Sequence, residues 1–358
     1  MGLPGRFAEW CDAVIARLAS AAGEVPEINT WPSLDELTGS KPLGSALEHI
    51  ALLLIAGGST RLVFGARQPD RELRSVLAQT ETRFVVALDD PRAAVTEILV
   101  KTDLSFDAVT RAVANSCPFV MPYVGLPGAL ALHADAAKAE PCEAIAAIGD
   151  HLGMPVDPGG ARRIAADLAE AGILPAAAAD QAALPLSVAQ RKAIDGALTG
   201  YAEFFANGKL GPVIWTRDLF TVLEDPPRPP LDAIEIAGDS RCLIFGPYIH
   251  LPPGSWEVQV ILGFSRETVG CPFLVDALGD GQLALTTLQP DRAGVFSVDL
   301  NFSINEPPSR GLEIRVLLGR GIASGQMAFG QVVLRPMTMR HLDTDDKSDS
   351  EFTSVLQI

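Results

Sequence analysis

Apolar residues recur in this chain at two different periods, and the period changes once, across Glu224-Asp-Pro-Pro-Arg-Pro-Pro230. Ahead of this stretch the spacing is mostly three and four residues, as helices require; beyond Asp232 it becomes alternation, as half-buried strands require. Proline continues neither a helix interior nor a central strand, so the prolines read as a boundary. The expected organisation is a helix-rich α/β domain over 1–223, a proline-rich linker over 224–231, a β-sandwich over 232–337 and an acidic, flexible tail over 338–358.

In the first part, Phe7, Trp10, Cys11, Val14, Ile15 and Leu18 share one face of a helix. A second helix is expected over 45–56. The short apolar runs 62–64 and 83–88 read as buried strands, each followed by a helix, which is the rhythm of parallel strand–helix units, and 129–132 offers a third strand. Helices are expected at 141–152, with Pro141 at the first helical position, and at 158–171, ending before Gly172. Ser187 and Gln190 have capping-box spacing ahead of Ile194, Leu198, Tyr201 and Phe205.

In the second part, Trp256, Val258, Val260, Leu262 and Phe264 alternate with polar residues such as Glu257 and Gln259. Phe296 to Phe302 and Leu312 to Leu318 repeat the pattern between glycine and proline turns. Roughly eight such strands make a sandwich. The fold class is therefore α/β, a small parallel sheet with many helices, plus an all-β antiparallel sandwich.

Composition narrows the function. Asp and Glu outnumber Lys and Arg by 44 to 28, a formal net charge of -16, which opposes nucleic acid and anionic membrane as partners. The apolar run 50–56 is too short for membrane insertion, and the N-terminus carries no signal-peptide pattern, so a cytoplasmic setting is expected. The five cysteines are scattered and the five histidines never approach ligand spacing, so neither a disulfide framework nor a metal site is expected. Cys117 lacks a nearby imidazole to activate it as a nucleophile, and Gly279-Asp-Gly281 reads as a hairpin turn.

Three segments together resemble a shortened sulfotransferase domain, the P-loop-like fold that binds 3'-phosphoadenosine 5'-phosphosulfate. LVFGARQPDRE (62–72) takes the place of the first strand and phosphate loop, and RFVVALDDPRAAVTEIL (83–99) the place of the strand, turn and helix that hold the 3'-phosphate. HADAAKAEPCEAIAAIGDHLGMP (133–155) is similar to the segment that follows. The resemblance implies anion or nucleotide contacts at Gly65, Arg67, Arg71 and Arg92. The departures run against it. Asp89 stands where the family has arginine, Glu97 where it has serine, and Ala134 and Ala136 where it has tyrosine and aspartate. In the first loop Pro69 removes one N–H while Asp70 and Glu72 bring negative charge, and like charges about 4 Å apart cost roughly 1–4 kcal/mol near a protein surface. Only 78–82 separates the first helix from the second strand, where the family places acceptor-binding structure and its base, so no catalytic residue and no cofactor is assigned.

The second part resembles the jelly-roll modules attached to bacterial glycan-modifying enzymes, through GPYIHLPPG (246–254) and the aromatic-led strand after it. The resemblance implies glycan contacts at Tyr248, His250, Asp276, Arg292, Asp299 and Asn301. The reading that follows is a non-enzymatic binding or assembly protein, with a protein partner or self-association and a glycan as expected ligands. Two alternatives stay open: a transferase acting on a glycan or nucleotide-linked substrate, and a self-assembling structural protein.

Overall fold

The computed structural model describes residues 1–22, 27–32, 36, 48, 50, 62–80, 82–175, 186–224, 226–306 and 310–337. The expected tail, and all of the helix expected over 45–56 except residues 48 and 50, lie outside the described residues.

The first part is built from α1 (Arg6–Ala21), β1 (Glu27–Trp31), β2 (Leu62–Ala66), α2 (Arg71–Thr80), β3 (Phe84–Leu88), α3 (Pro91–Lys101), α4 (Phe106–Val120), β4 (Ala129–His133), α5 (Ala134–Ala139), α6 (Pro141–Leu152), α7 (Pro158–Glu170) and α8 (Val188–Asn207). The pairs β1–β2 and β3–β4 are each parallel. Residues 1–3 join them: the Gly2 amide donates to Ala66 O at 3.1 Å, and the Ala87 amide donates to Met1 O at 2.7 Å. The lanes therefore run β1, β2, residues 1–3, β3, β4. The strand expected to begin the phosphate loop, β2, is thus separated from β3 by the first residues of the chain. Gly2 permits this fit, since a Cβ there would lie 2.9 Å from both Ala87 O and Ala87 Cβ.

Strand β3 shows how the sheet divides the core. All five of its residues are buried, as in a sheet covered on both faces. Val85 and Ala87 pack with Trp10, Val14, Ile145 and Leu168 from α1, α6 and α7. Phe84, Val86 and Leu88 pack on the other side with Val95, Val113 and Tyr201 from α3, α4 and α8, and this apolar cluster continues into the second part. Among the described residues no helix is long and apolar enough to cross a membrane.

The second part contains β5 (Val213–Thr216), β6 (Thr221–Val222), β7 (Ile234–Glu235), β8 (Arg241–Phe245), β9 (Pro247–Ile249), β10 (Gly254–Phe264), β11 (Phe273–Leu278), β12 (Gln282–Leu288), β13 (Gly294–Ile304), β14 (Leu312–Leu318) and β15 (Gln326–Met337). One sheet has the order β13-β10-β15-β5, with β7 also on β15; the other has β12-β11-β14-β8-β6, with β9 also on β14. All these pairings are antiparallel. The inward register expected for Trp256, Val258, Val260, Leu262 and Phe264 is present, each being buried. Strands β5 and β6 precede the proline stretch in sequence yet pair with β15 and β8 beyond it.

Helix α8 ties the two parts together. It begins with the expected capping box, Ser187 Oγ accepting the Gln190 amide at 3.1 Å while Gln190 Oε1 accepts the Ser187 amide at 2.9 Å. Gly196 and Gly200, one turn apart, let it lie directly on backbone. A Cβ at Gly196 would sit 2.7 Å from Ile214 O, and one at Gly200 2.6 Å from Gly211 O. Gly200→Ala is expected to destabilise the protein by about 1–3 kcal/mol through forced separation of α8 from the Gly211–Pro212 segment that leads into β5, despite alanine's better helix propensity. A melting curve checks this, and an unchanged or higher Tm would show that the contact is loose.

Candidate functional site

The lane order places the crevice where a doubly wound sheet takes its ligands. From residues 1–3 the chain builds β1 and β2 on one side and then crosses to β3 and β4 on the other, so the switch point lies between residues 1–3 and β3. Two helix N-termini meet there, α1 after Gly5 and α3 after Asp90. Such positions attract anions, because the first backbone N–H groups of a helix lack internal partners.

Here the anions come from the chain itself. The Arg6 amide, at the start of α1, donates to Glu97 Oε2 at 3.2 Å, and the Arg6 guanidinium lies 4.0 Å from the same carboxylate. At α3, Asp90 caps the helix by accepting the Arg92 amide at 2.9 Å, and it also takes the Arg92 guanidinium at 2.6 Å. The loop after β2 repeats the pattern. Arg67 donates to Asp12 Oδ2 at 2.6 Å, with both side chains buried, and the space that a Cβ on Gly65 would need is filled by the same Asp12 carboxylate. Asp70 caps α2 by accepting the Leu73 amide at 2.8 Å. Arg71 pairs with Glu306, a residue of the sandwich part.

The four residues expected to hold an anion therefore do not converge on a shared vacant position. Gly65 and Arg67 serve Asp12, Arg92 serves Asp90, and Arg71 reaches across to Glu306. Asp12 escaped the sequence reading, since an acidic residue on an otherwise apolar helix face gives no sign of its partner.

Beside this crevice lies a cavity of about 400 Å³ lined by Asp89, Asp90, Arg92, His133, Asp135 and Glu203, among others. Burial pushes the Asp89 carboxyl up to about 6; the carboxylates of Glu97, Asp90 and Asp135 push the same way, and the Asp90 amide it accepts opposes them. Cys117 is fully buried, and burial raises its thiol well above the ordinary range.

The six residues expected to contact glycan are divided among separate places. His250 is a joint: its amide donates to Asn115 Oδ1 of α4 at 2.7 Å, and its ring meets Phe119 edge-on, centroids 5.0 Å apart. Arg292 is exposed, next to Asp291 and 5.7 Å from the Phe296 ring centre. Asp299 and Asn301 lie on the outward side of β13, with Gln259 Nε2 donating to Asp299 at 3.3 Å. Tyr248 and Asp276 belong to the other sheet and share its outer face. Their partners there are Glu313, which accepts the Tyr248 hydroxyl at 3.0 Å, and Arg315, whose Nε and Nη2 donate to Asp276 at 3.0 and 2.6 Å. Neither partner was singled out in the sequence, although both occupy the polar positions of an alternating strand.

No protein-family model matches the chain, and no curated relative matches it. Among solved structures, an arabinose-bound α-L-arabinofuranosidase, MgGH51, is similar at 12% identity over 35% of this chain and 22% of its own, TM-score 0.24. The module TmCBM61, in complex with β-1,4-galactotriose, is similar at 12% identity over 35% of this chain and 88% of its own, TM-score 0.24. The CBM36-1 domain of a multidomain xylanase from the hindgut metagenome of Trinervitermes trinervoides follows at 6% identity over 36% and 99%, TM-score 0.25. The matched region thus spans about a fifth of the arabinofuranosidase and most of the two modules. At scores this low the likeness assigns neither family nor ligand.

Asp89 also carries a stability consequence. Between the ordinary carboxyl value, about 4 in an unfolded chain, and about 6 in the folded protein, the folded state keeps a proton that the unfolded state has released. Stability therefore falls as pH rises through that window. Asp89→Asn is expected to raise stability at about pH 7 by roughly 1–2 kcal/mol, discounted for partial solvent exposure, and to add nothing near pH 4. Melting temperatures at both pH values check this; a gain of equal size at each would mean the carboxyl is not held protonated by its surroundings.

Proposed function

We propose that this chain is a non-enzymatic binding or assembly protein in which a sulfotransferase-like α/β domain has lost its anion-binding chemistry and a β-sandwich takes glycans. The observation that carries this reading is the Glu97 carboxylate seated on the first amide of α1, at the switch point of the sheet. A nucleotide phosphate needs those backbone donors and a cation. In this chain the donor is engaged, and the Arg92 and Arg67 charges are bound by Asp90 and Asp12 at 2.6 Å each. Accommodating a phosphate would require expelling an internal carboxylate and leaving a charge unpaired. Breaking a buried pair such as Asp12–Arg67 costs about 3–5 kcal/mol, whereas the half-exposed Asp90–Arg92 pair is weaker.

The transferase alternative requires a bound donor, and this separates the readings. Adenosine 3',5'-bisphosphate and nucleotide sugars are expected to leave the melting temperature of the wild-type chain unchanged. A ligand present at 100 times its dissociation constant would add about 2.7 kcal/mol, so a shift with any of these donors would overturn the non-enzymatic reading. Asp89→Arg combined with Glu97→Ser is expected to keep the fold and gain a measurable shift with the bisphosphate. A folded double variant that still ignores it would count against sulfotransferase-like descent.

A further inference from the structure

We propose that the outer face of the β12–β11–β14–β8 sheet binds an uncharged glycan, with the Tyr248 ring as its platform and Glu313 and Arg315 as its polar contacts. This rests on the glycan part of the reading above and adds a location and a ligand class to it.

Backbone strain marks the place. Tyr248 has φ 62°, the one positive value at a non-glycine residue among those described. Bulky side chains rarely tolerate that region, and such strain gathers at functional positions. The strain comes from a bulge. Leu312 pairs with Ile249 and Glu313 pairs with Pro247, so Tyr248 is one extra residue on β9, and bulges of this kind re-aim a side chain. The surroundings hold it there. Asn115 Nδ2 of α4 donates to Tyr248 O at 3.2 Å, and Gly311 lies so close to that carbonyl that any Cβ would collide with it.

Core packing does not account for this arrangement, because the Tyr248 residue is 41% exposed. Its ring stands 6.2 Å from that of Phe245 at 63°, and its hydroxyl is held on Glu313. Burial and the Glu313 charge push the phenol up to about 12, so it remains a donor at physiological pH. Along the same face, Leu285, Asp276 and Arg315 stand in register across β12, β11 and β14. Asp276 is buried and fixes the guanidinium through two bonds, while the Arg315 side chain is 31% exposed and has further N–H donors. An exposed ring, a fixed donor and a carboxylate acceptor together suit a pyranose, whose apolar face stacks on an aromatic and whose hydroxyls both donate and accept.

Charge selects the class. Asp276 neutralises Arg315, Glu313 leaves the strip negative, and the chain carries a formal net charge of -16, so sulfated and uronate-rich glycans are repelled.

Native gels of the full chain containing β-glucan, mannan or galactomannan, or containing alginate or heparin, test this. Retardation is expected with at least one neutral polysaccharide and with neither acidic one. Tyr248→Gly is expected to weaken that retardation about tenfold while leaving the melting temperature equal or higher, because glycine relieves the positive φ. A purely structural tyrosine would instead lower it. If Tyr248→Gly is retarded as strongly as wild type, the location is overturned, and weakened retardation of Asp299→Ala with Asn301→Ala then puts the glycan reading on the opposite sheet. Retardation only by acidic polysaccharides overturns the ligand class. A wild-type chain unretarded in every gel overturns both the surface and the glycan part of the reading.

Discussion

The contact between Asp12 and Arg67 organises the packing of α1 on the loop after β2. Both side chains are buried and 2.6 Å apart, so each charge is tolerated only because the other is present. That dependence fixes α1 against the loop after β2, requires glycine at position 65 to make room for the carboxylate, and commits the arginine to an internal partner. The same solution recurs with Asp90 on Arg92 and with Glu97 on the start of α1. At both helix N-termini beside the switch point the negative charge comes from side chains of the chain itself.

The two parts of the molecule are mechanically joined. Helix α8 rests on the backbone of β5, and Asn115 on α4 grips both Tyr248 and His250 through hydrogen bonds of 3.2 and 2.7 Å. A continuous apolar cluster runs from Phe84 and Val86 to Trp215 and Trp256. The position of Tyr248 on the sandwich surface is therefore set in part by a helix of the α/β part.

Much of the fold was legible because the relevant signals are local. The alternation around Trp256, the capping box at Ser187, the strand at 84–88 and the proline-initiated helix at 141–152 all depend on neighbours in sequence. The lane made by residues 1–3 was not legible, since three residues have no period and only Gly2's closeness to Ala87 reveals it. Strands β6 and β7, at two residues each, are equally silent. The site was read less well for a related reason. The resemblance pointed to cations, but whether a cation is available depends on distant carboxylates such as Asp12 and Glu306. On the sandwich, Tyr248 and Asp276 were singled out, whereas Glu313 and Arg315 become meaningful only through cross-strand register.

The pairing of β5 with β15 and of β6 with β8 changes the meaning of the proline stretch between them. It looks like a place to cut, yet β5 and β6 are the outermost strands of their sheets. A fragment beginning after the prolines would expose a row of unpaired backbone groups on each sheet, and such rows recruit strands from other molecules. The seam suggested by composition thus runs through both sheets, and the strands that end them come from residues ahead of it.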